Sequence, residues 1–154
     1  MPTIPTRQVA RTVVIDAMRS VLLVRYDHWE PSLAPYWVPP GGVLELEESH
    51  RDAAHRELVE ETGLDNFLIG CKLWERSFNY QPSGHDVHQV EQYFLVTLGS
   101  TAPSVSNSSS EDIKEHRWWT LAELVATKET EPPRFTRRPF SLSQAAMADP
   151  SSCS

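Results

Sequence analysis

The run from Trp37 to Leu64, WVPPGGVLELEESHRDAAHRELVEETGL, constrains the fold more than any other part of the chain. Its Pro-Pro-Gly-Gly start stops any regular element, because proline removes amide donors and glycine admits unusual backbone angles. From Ser49 to Thr62 the reading is helix. Ser49 followed three residues later by Asp52 resembles a capping box, and Gly63 stands where a left-handed residue closes a helix.

This helix is unusually acidic. Residues 45–61 hold seven acids and two arginines, so they carry −5 of the chain's net −7. At about 100° per residue, Ala54, Leu58, Val59 and Thr62 can face a core, while Glu57, Glu60 and Glu61 share an arc of about 100°. Like charges at these spacings repel by roughly 0.2–0.5 kcal/mol per pair, and acids in the last turn oppose the helix dipole. A solvated surface helix would carry lysines there. A hard divalent cation bound by carboxylate oxygens accounts for the pattern, and Mg²⁺ takes such ligands while keeping waters for phosphate oxygens.

The rest of the chain reads as strands around that helix. Residues 8–16 and 20–26 form a candidate hairpin through Ala17-Met18-Arg19, and 67–79 and 88–98 are further strands joined near YQPSGHD. Residues 27–36 and the Ser-rich 104–110 read as loops, 113–119 as a last strand, and Thr120 as the cap of a helix over LAELVATK. The expected class is α/β, with one domain over residues 1–140 and a flexible tail over 141–154.

Composition narrows the function. A net charge of −7 argues against a nucleic-acid polymer as partner, which needs a basic face. No run approaches the ~18 apolar residues of a membrane span, and MPTIPTRQ lacks a signal peptide's order, so the cytoplasm is the expected location. Cys71 and Cys153 read as two free thiols.

Gly42, Glu48 and the stretch Arg56-Glu57-Leu58-Val59-Glu60-Glu61-Thr62-Gly63-Leu64 match the Nudix box, G-x5-E-x7-R-E-U-x-E-E-x-G-U, at every fixed position. The chain therefore resembles the Nudix (MutT-like) hydrolases over about residues 8–127. One departure is Glu47, where many members carry glycine. The resemblance implies an α/β/α sandwich with a mixed β-sheet and a loop–helix–loop catalytic motif. It implies Mg²⁺, with Mn²⁺ as substitute, held by Glu57 and Glu61 with the Gly42 carbonyl. Glu60 would be a third ligand or the base, Glu48 would join directly or through water, and Arg56 would orient the glutamates. The implied reaction is hydrolysis of a nucleoside diphosphate linked to another group, or of a modified nucleoside triphosphate, by metal-assisted attack of water. A homodimer is compatible with the resemblance.

Candidates for substrate contact are Arg25, Trp37 and Tyr80, with Trp74, Arg76 and Phe78 beside them, although aromatics in strands more often fill a core. Tyr80 stands sixteen residues after Leu64, near the place where dinucleoside polyphosphate hydrolases of the family carry a tyrosine. Glu111, Asp112 and Glu115 precede the last strand, where some relatives place an extra acid. His50, His55, His85 and His88 read as structural or surface residues, and Arg134, Arg137 and Arg138 as a solvated cluster. Dinucleoside polyphosphate or ADP-sugar hydrolysis is the alternative within the family. A non-catalytic nucleotide sensor would have lost box glutamates, and an isoprenyl diphosphate isomerase would need a catalytic cysteine that Cys71 does not match.

Overall fold

The computed structural model describes residues 3–27, 36–81, 84–106 and 113–126. Its elements are β1 (Thr6–Ile15), β2 (Val21–Tyr26), β3 (Tyr36–Val38), β4 (Gly41–Val43), α1 (His50–Thr62), β5 (Lys72–Tyr80), β6 (Val87–Thr97), β7 (Ile113–Trp119) and α2 (Leu121–Ala126). The strands form one mixed sheet. β1 runs parallel to β6 from Thr6↔His88 to Ile15↔Thr97, and the other pairings are antiparallel.

Alternation along the strands divides the core into two faces. Val13, Ile15, Val21, Leu23, Tyr93 and Leu95 point to one side and pack with Leu124 of α2. Ala10, Val14, Leu22, Phe94 and Val96 point to the other and pack with Ala53, Ala54 and Leu58 of α1. Helices on both faces of a mixed sheet give the α/β/α layering expected.

The functional geometry comes from an opening in this sheet. β1 and β2 pair only at the turn, Ile15↔Val21, and then separate. β3 follows β2 (Val24↔Val38) and β4 follows β1 (Ala10↔Gly42), so Pro39-Pro40 bridges the opening. The Thr12 amide donates to the Pro40 carbonyl at 2.8 Å, and Arg11 Nη1 donates to the Pro39 carbonyl at 3.1 Å. The prolines' missing donors fall where no strand partner requires them, so strands flank them on both sides. This corrects the expectation that WVPPGG excludes regular structure.

A second correction concerns residues 67–71, read as strand. Phe67 and Ile69 pack on the α1 side before β5 begins, with Arg51 Nη1 donating to the Ile69 and Gly70 carbonyls at 2.7 and 2.9 Å, and the Gly70 amide donates to the Leu95 carbonyl of β6 at 2.7 Å. Gly70 permits the approach, since a Cβ there would lie 2.6 Å from the Leu95 carbonyl oxygen. Cys71 is disulfide-bonded, not a free thiol, because spacing in sequence does not disclose which sulfurs meet in space. Thr120 caps α2 as expected: its Oγ1 accepts from the Glu123 amide at 3.2 Å, and Glu123 Oε1 accepts from the Thr120 amide at 3.0 Å. Residues 28–35, 107–112 and 127–154 lie outside the described residues, and with them Glu111, Asp112, the arginine cluster and the 141–154 tail. No described helix is long and apolar enough to cross a membrane.

On the face opposite α1, Glu91 is 1% exposed and pairs with Arg11 Nε and with Arg76 Nη2, the latter at 2.9 Å. Burial alone would raise its carboxyl, but the two guanidiniums outweigh burial and hold it below the ordinary 4.5. Its folded value is therefore the lower one, so its contribution to stability is full above pH 4.5 and is lost as pH falls further. Glu91→Gln is expected to lower stability by about 3–5 kcal/mol at pH 7 in urea unfolding, since it takes the carboxylate charge from between two largely buried guanidiniums. The difference from wild type should shrink at pH 3, and an equal difference at both pH values would refute the account.

Candidate functional site

The chain folds α1 into place by local signals. Ser49 Oγ accepts from the Asp52 amide at 3.0 Å, and the Gly63 amide donates to the Val59 carbonyl at 2.9 Å with φ 73°. Residues Ala53, Ala54, Leu58, Glu61 and Thr62 are buried. Val59, read as a core residue, is only partly covered. Glu61 instead occupies the middle of the packing face, because the helix lies over the opening beside β4 rather than over a continuous apolar sheet.

The three box glutamates consequently stand in different surroundings. Glu61 is 4% exposed. Its Oε2 accepts from the Gly41 amide at 3.1 Å, and its Oε1 accepts from the Tyr26 hydroxyl at 3.0 Å. Its backbone carbonyl lies 2.6 Å from His116 Nε2. Burial, and then the charge of Glu57, push its carboxyl up to about 8. Burial and the same carboxylate also raise the Tyr26 hydroxyl above its ordinary range.

Glu57 and Glu60 are held by Arg56, whose Nη1 donates to them at 2.8 and 3.2 Å. Arg56 also grips Glu48 with two parallel bonds, Nε to Oε2 and Nη2 to Oε1, both 2.8 Å, and reaches the Val43 carbonyl at 3.2 Å. This bidentate pairing holds the Glu48 carboxyl down near 2 and raises the Arg56 guanidinium above its ordinary value. One cation therefore gathers the carboxylates of positions 48, 57 and 60.

Gly42 abuts this group. A Cβ at Gly42 would lie 2.6 Å from Glu57 Cδ and Oε1, so only glycine lets the β4 backbone share space with that carboxylate. Glu47 has φ 64°, the left-handed conformation that glycine adopts freely, so the loop keeps the glycine-type turn with a side chain in its place. Among the described residues, no three His, Cys, Asp or Glu side chains form a ready metal cage. The donor set nevertheless fits Mg²⁺. All donors are hard oxygens, Mg²⁺ is commonly held by one or two carboxylates plus waters, and Glu57 and Glu61 lie close enough for the charge of one to raise the carboxyl of the other.

The substrate candidates are not gathered here. Trp37 is 7% exposed and meets Trp119 edge-on at 5.3 Å, in the core beneath α2. This corrects its assignment to substrate binding: on β3 its side chain points to the face away from α1 and is enclosed there. Arg25 pairs with Glu115 at 3.4 Å. Tyr80 ends β5, and its side chain is not among those described. Trp74 stacks on Tyr93 at 4.4 Å, and Phe78 lies under Arg76 at 5.1 Å. His50 bonds Gln8 at 3.0 Å and His55 packs on Phe67 at 4.7 Å, both structural as expected. Sequence reasoning missed Tyr26, Arg11 and Glu91, and it read Arg76, the second partner of Glu91, as a candidate substrate contact. Charged residues inside apolar strands, in QVARTVV and VEQYFLV, were the available signal for Arg11 and Glu91.

Comparison with known proteins gives the same family. The NUDIX domain model matches residues 5–139. The m7GpppN-mRNA hydrolase NUDT17 of Danio rerio is 39% identical over 124 residues, covering 71% of this chain and 40% of that protein. The uncharacterized Nudix hydrolase YvcI of Bacillus subtilis is 33% identical over 82 residues, covering 53% of this chain and 51% of that one. The chain thus spans about half or less of these relatives' lengths. Among solved structures, a MutT protein from Methanosarcina mazei superposes with TM-score 0.63 at 20% identity, covering 85% of this chain and 88% of the other. The C. elegans Ap4A hydrolase gives 0.60 at 21%, with 82% and 88% covered, and both likenesses concern the fold. With a complete box on a buried, glycine-flanked helix and a family match over most of its length, the chain belongs to the Nudix family.

Proposed function

We propose that this protein hydrolyses a diphosphate bond in a nucleoside diphosphate derivative or modified nucleoside triphosphate, with Mg²⁺ as cofactor and Mn²⁺ as substitute. The observation that carries this is the Glu57–Glu61 pair beside the Gly42 backbone, two carboxylates close enough that the charge of Glu57 raises the carboxyl of Glu61. Glu57, Glu61 and the Gly42 carbonyl would hold the metal, with Glu48 joining directly or through water. The bound ion supplies screening of the diphosphate oxygens and stabilises the charge that develops on them.

The chain's own residues supply orientation and proton transfer. Glu61 is fixed by its hydrogen bonds from β2 and β4, so its oxygens keep their direction when substrate arrives. Arg56 holds Glu57 in line and offsets its repulsion with Glu60 and Glu48 by bonding all three. Glu60, 42% exposed and on the longest of these bonds, is the carboxylate best placed to orient water and take its proton. Arg25 and Tyr80 remain the proposed substrate contacts. A small-molecule nucleotide, a homodimer and a cytoplasmic setting belong to the same reading.

A second reading, hydrolysis of an m7GpppN cap, is favoured by the 39% identity to a relative bearing that name. Both are tested by incubating the protein with Mg²⁺ and a panel of nucleoside diphosphate derivatives, triphosphates, dinucleoside polyphosphates and m7GpppN-capped RNA, resolving products by anion exchange. Turnover should stop on chelation and return with Mg²⁺ or Mn²⁺. Tight binding without turnover of any member would favour a sensor instead.

Glu57→Gln, Glu60→Gln and Glu61→Gln should each lower kcat about a hundredfold or more on the best substrate. A Glu57 or Glu61 variant as fast as wild type would overturn the site assignment.

A further inference from the structure

Tyr26 belongs to none of the box positions, yet it meets the site's most buried carboxylate. Its hydroxyl donates to Glu61 Oε1 at 3.0 Å while the Gly41 amide donates to Oε2 at 3.1 Å. Both oxygens are therefore engaged from two different strands, and the His116 ring meets the Glu61 backbone carbonyl from a third. A carboxylate held at both oxygens cannot rotate about its last bond without breaking one of them.

The sheet is built to bring Tyr26 there. β2 pairs with β7 in regular register from Val21↔Trp119 to Arg25↔Glu115, and then Tyr26 pairs with Ile113, passing over Lys114. The extra residue belongs to β7, so β2 keeps its alternation, and Tyr26 falls on the side of the sheet where Leu22 packs with Leu58 of α1. The ring is steadied on its other side by Tyr36 of β3, stacked at 6.1 Å and 25°. A tyrosine serving only to fill the core would need no charged partner for its hydroxyl, and this one has Glu61.

We propose that Tyr26 is a positioning residue, which orients Glu61 so that its oxygens present one fixed geometry to the divalent cation. This rests on the metal-site reading given above. Arg56 performs the corresponding task for Glu57 and Glu60 by charge, whereas Tyr26 performs it for Glu61 as a neutral donor that leaves the carboxylate's charge available.

Tyr26→Phe removes the hydroxyl and keeps the ring with its stacking on Tyr36, so the test compares this variant with wild type and Glu61→Gln. Mn²⁺ binding without substrate is followed by the electron paramagnetic resonance signal of free Mn²⁺. The kcat and KM of the best substrate are measured at saturating Mg²⁺, and thermal unfolding is measured in EDTA. Tyr26→Phe should weaken Mn²⁺ binding about tenfold and lower kcat by a similar factor, from losing one hydrogen bond to a charged group, with KM unchanged within about twofold. Wild-type Mn²⁺ affinity and kcat in Tyr26→Phe would overturn the proposal, including when the variant melts lower, because that is the result of a purely structural hydroxyl. If Glu61→Gln also binds Mn²⁺ like wild type, the metal-site reading itself fails and takes this proposal with it.

Discussion

A carboxylate buried in the packing face of a helix is expensive unless hydrogen bonds answer it. Glu61 is that carboxylate, and much of the surrounding architecture can be understood as the answer. The Gly41 amide reaches it only because β4 lies tight against β1, where a Cβ at Gly41 would stand 2.2 Å from the Ala10 carbonyl oxygen. β4 can lie there only because β1 and β2 part after the hairpin, and Pro39-Pro40 cross the opening with their carbonyls bound to Thr12 and Arg11. One buried acid thus ties together the proline pair, the glycine pair and the split in the sheet.

The exposed side of the same helix meets its repulsion differently. Glu48, Glu57 and Glu60 would repel one another, with Glu60 also opposing the helix dipole from the last turn, and a single guanidinium placed among them satisfies all three. The fork geometry of arginine matters here, because two parallel bonds to Glu48 leave Nη1 for Glu57 and Glu60. Lysine would offer one point charge and could not fix three directions. The site therefore joins a rigid half, set by neutral donors in the core, to a half set by charge at the surface. A cation entering between Glu57 and Glu61 would sit at the junction of the two.

The helix was the most legible part of the sequence because its signals are local: Ser49 and Gly63 mark its ends within a turn of the bonds they make. The long strands were legible within a few residues as apolar runs. β3 and β4 were not, because prolines and glycines read as a break, and their pairing depends on β1 and β2 far away in the chain. The same holds for Phe67 and Ile69, whose apolar character serves packing on the α1 side and not a strand. At the site, spacing gave the identity of the glutamates but placed all three on one exposed arc. Burial of Glu61 and of Trp37 depends on which elements cover each face, which periodicity along one helix or strand cannot reveal. Tyr26 was invisible for the same reason, being thirty-five positions from the group it meets.

Glu47 shows how the two halves share control of the loop that precedes the helix. A side chain in the left-handed region costs on the order of 1 kcal/mol relative to glycine, so residue 47 does not itself favour the turn it makes. The turn is held from its flanks instead. The Glu48 amide donates to the Glu45 carbonyl at 3.1 Å, the Glu45 amide donates to Glu48 Oε1 at 2.9 Å, and Arg56 bonds both Glu48 and the Val43 carbonyl. Arg56 consequently sets the path of the loop as well as the direction of the carboxylates. That dual role explains why a glycine at 47 is dispensable here: the backbone shape needed beside Glu57 is imposed by the charge cluster, and the exposed Glu47 side chain adds its charge outside it.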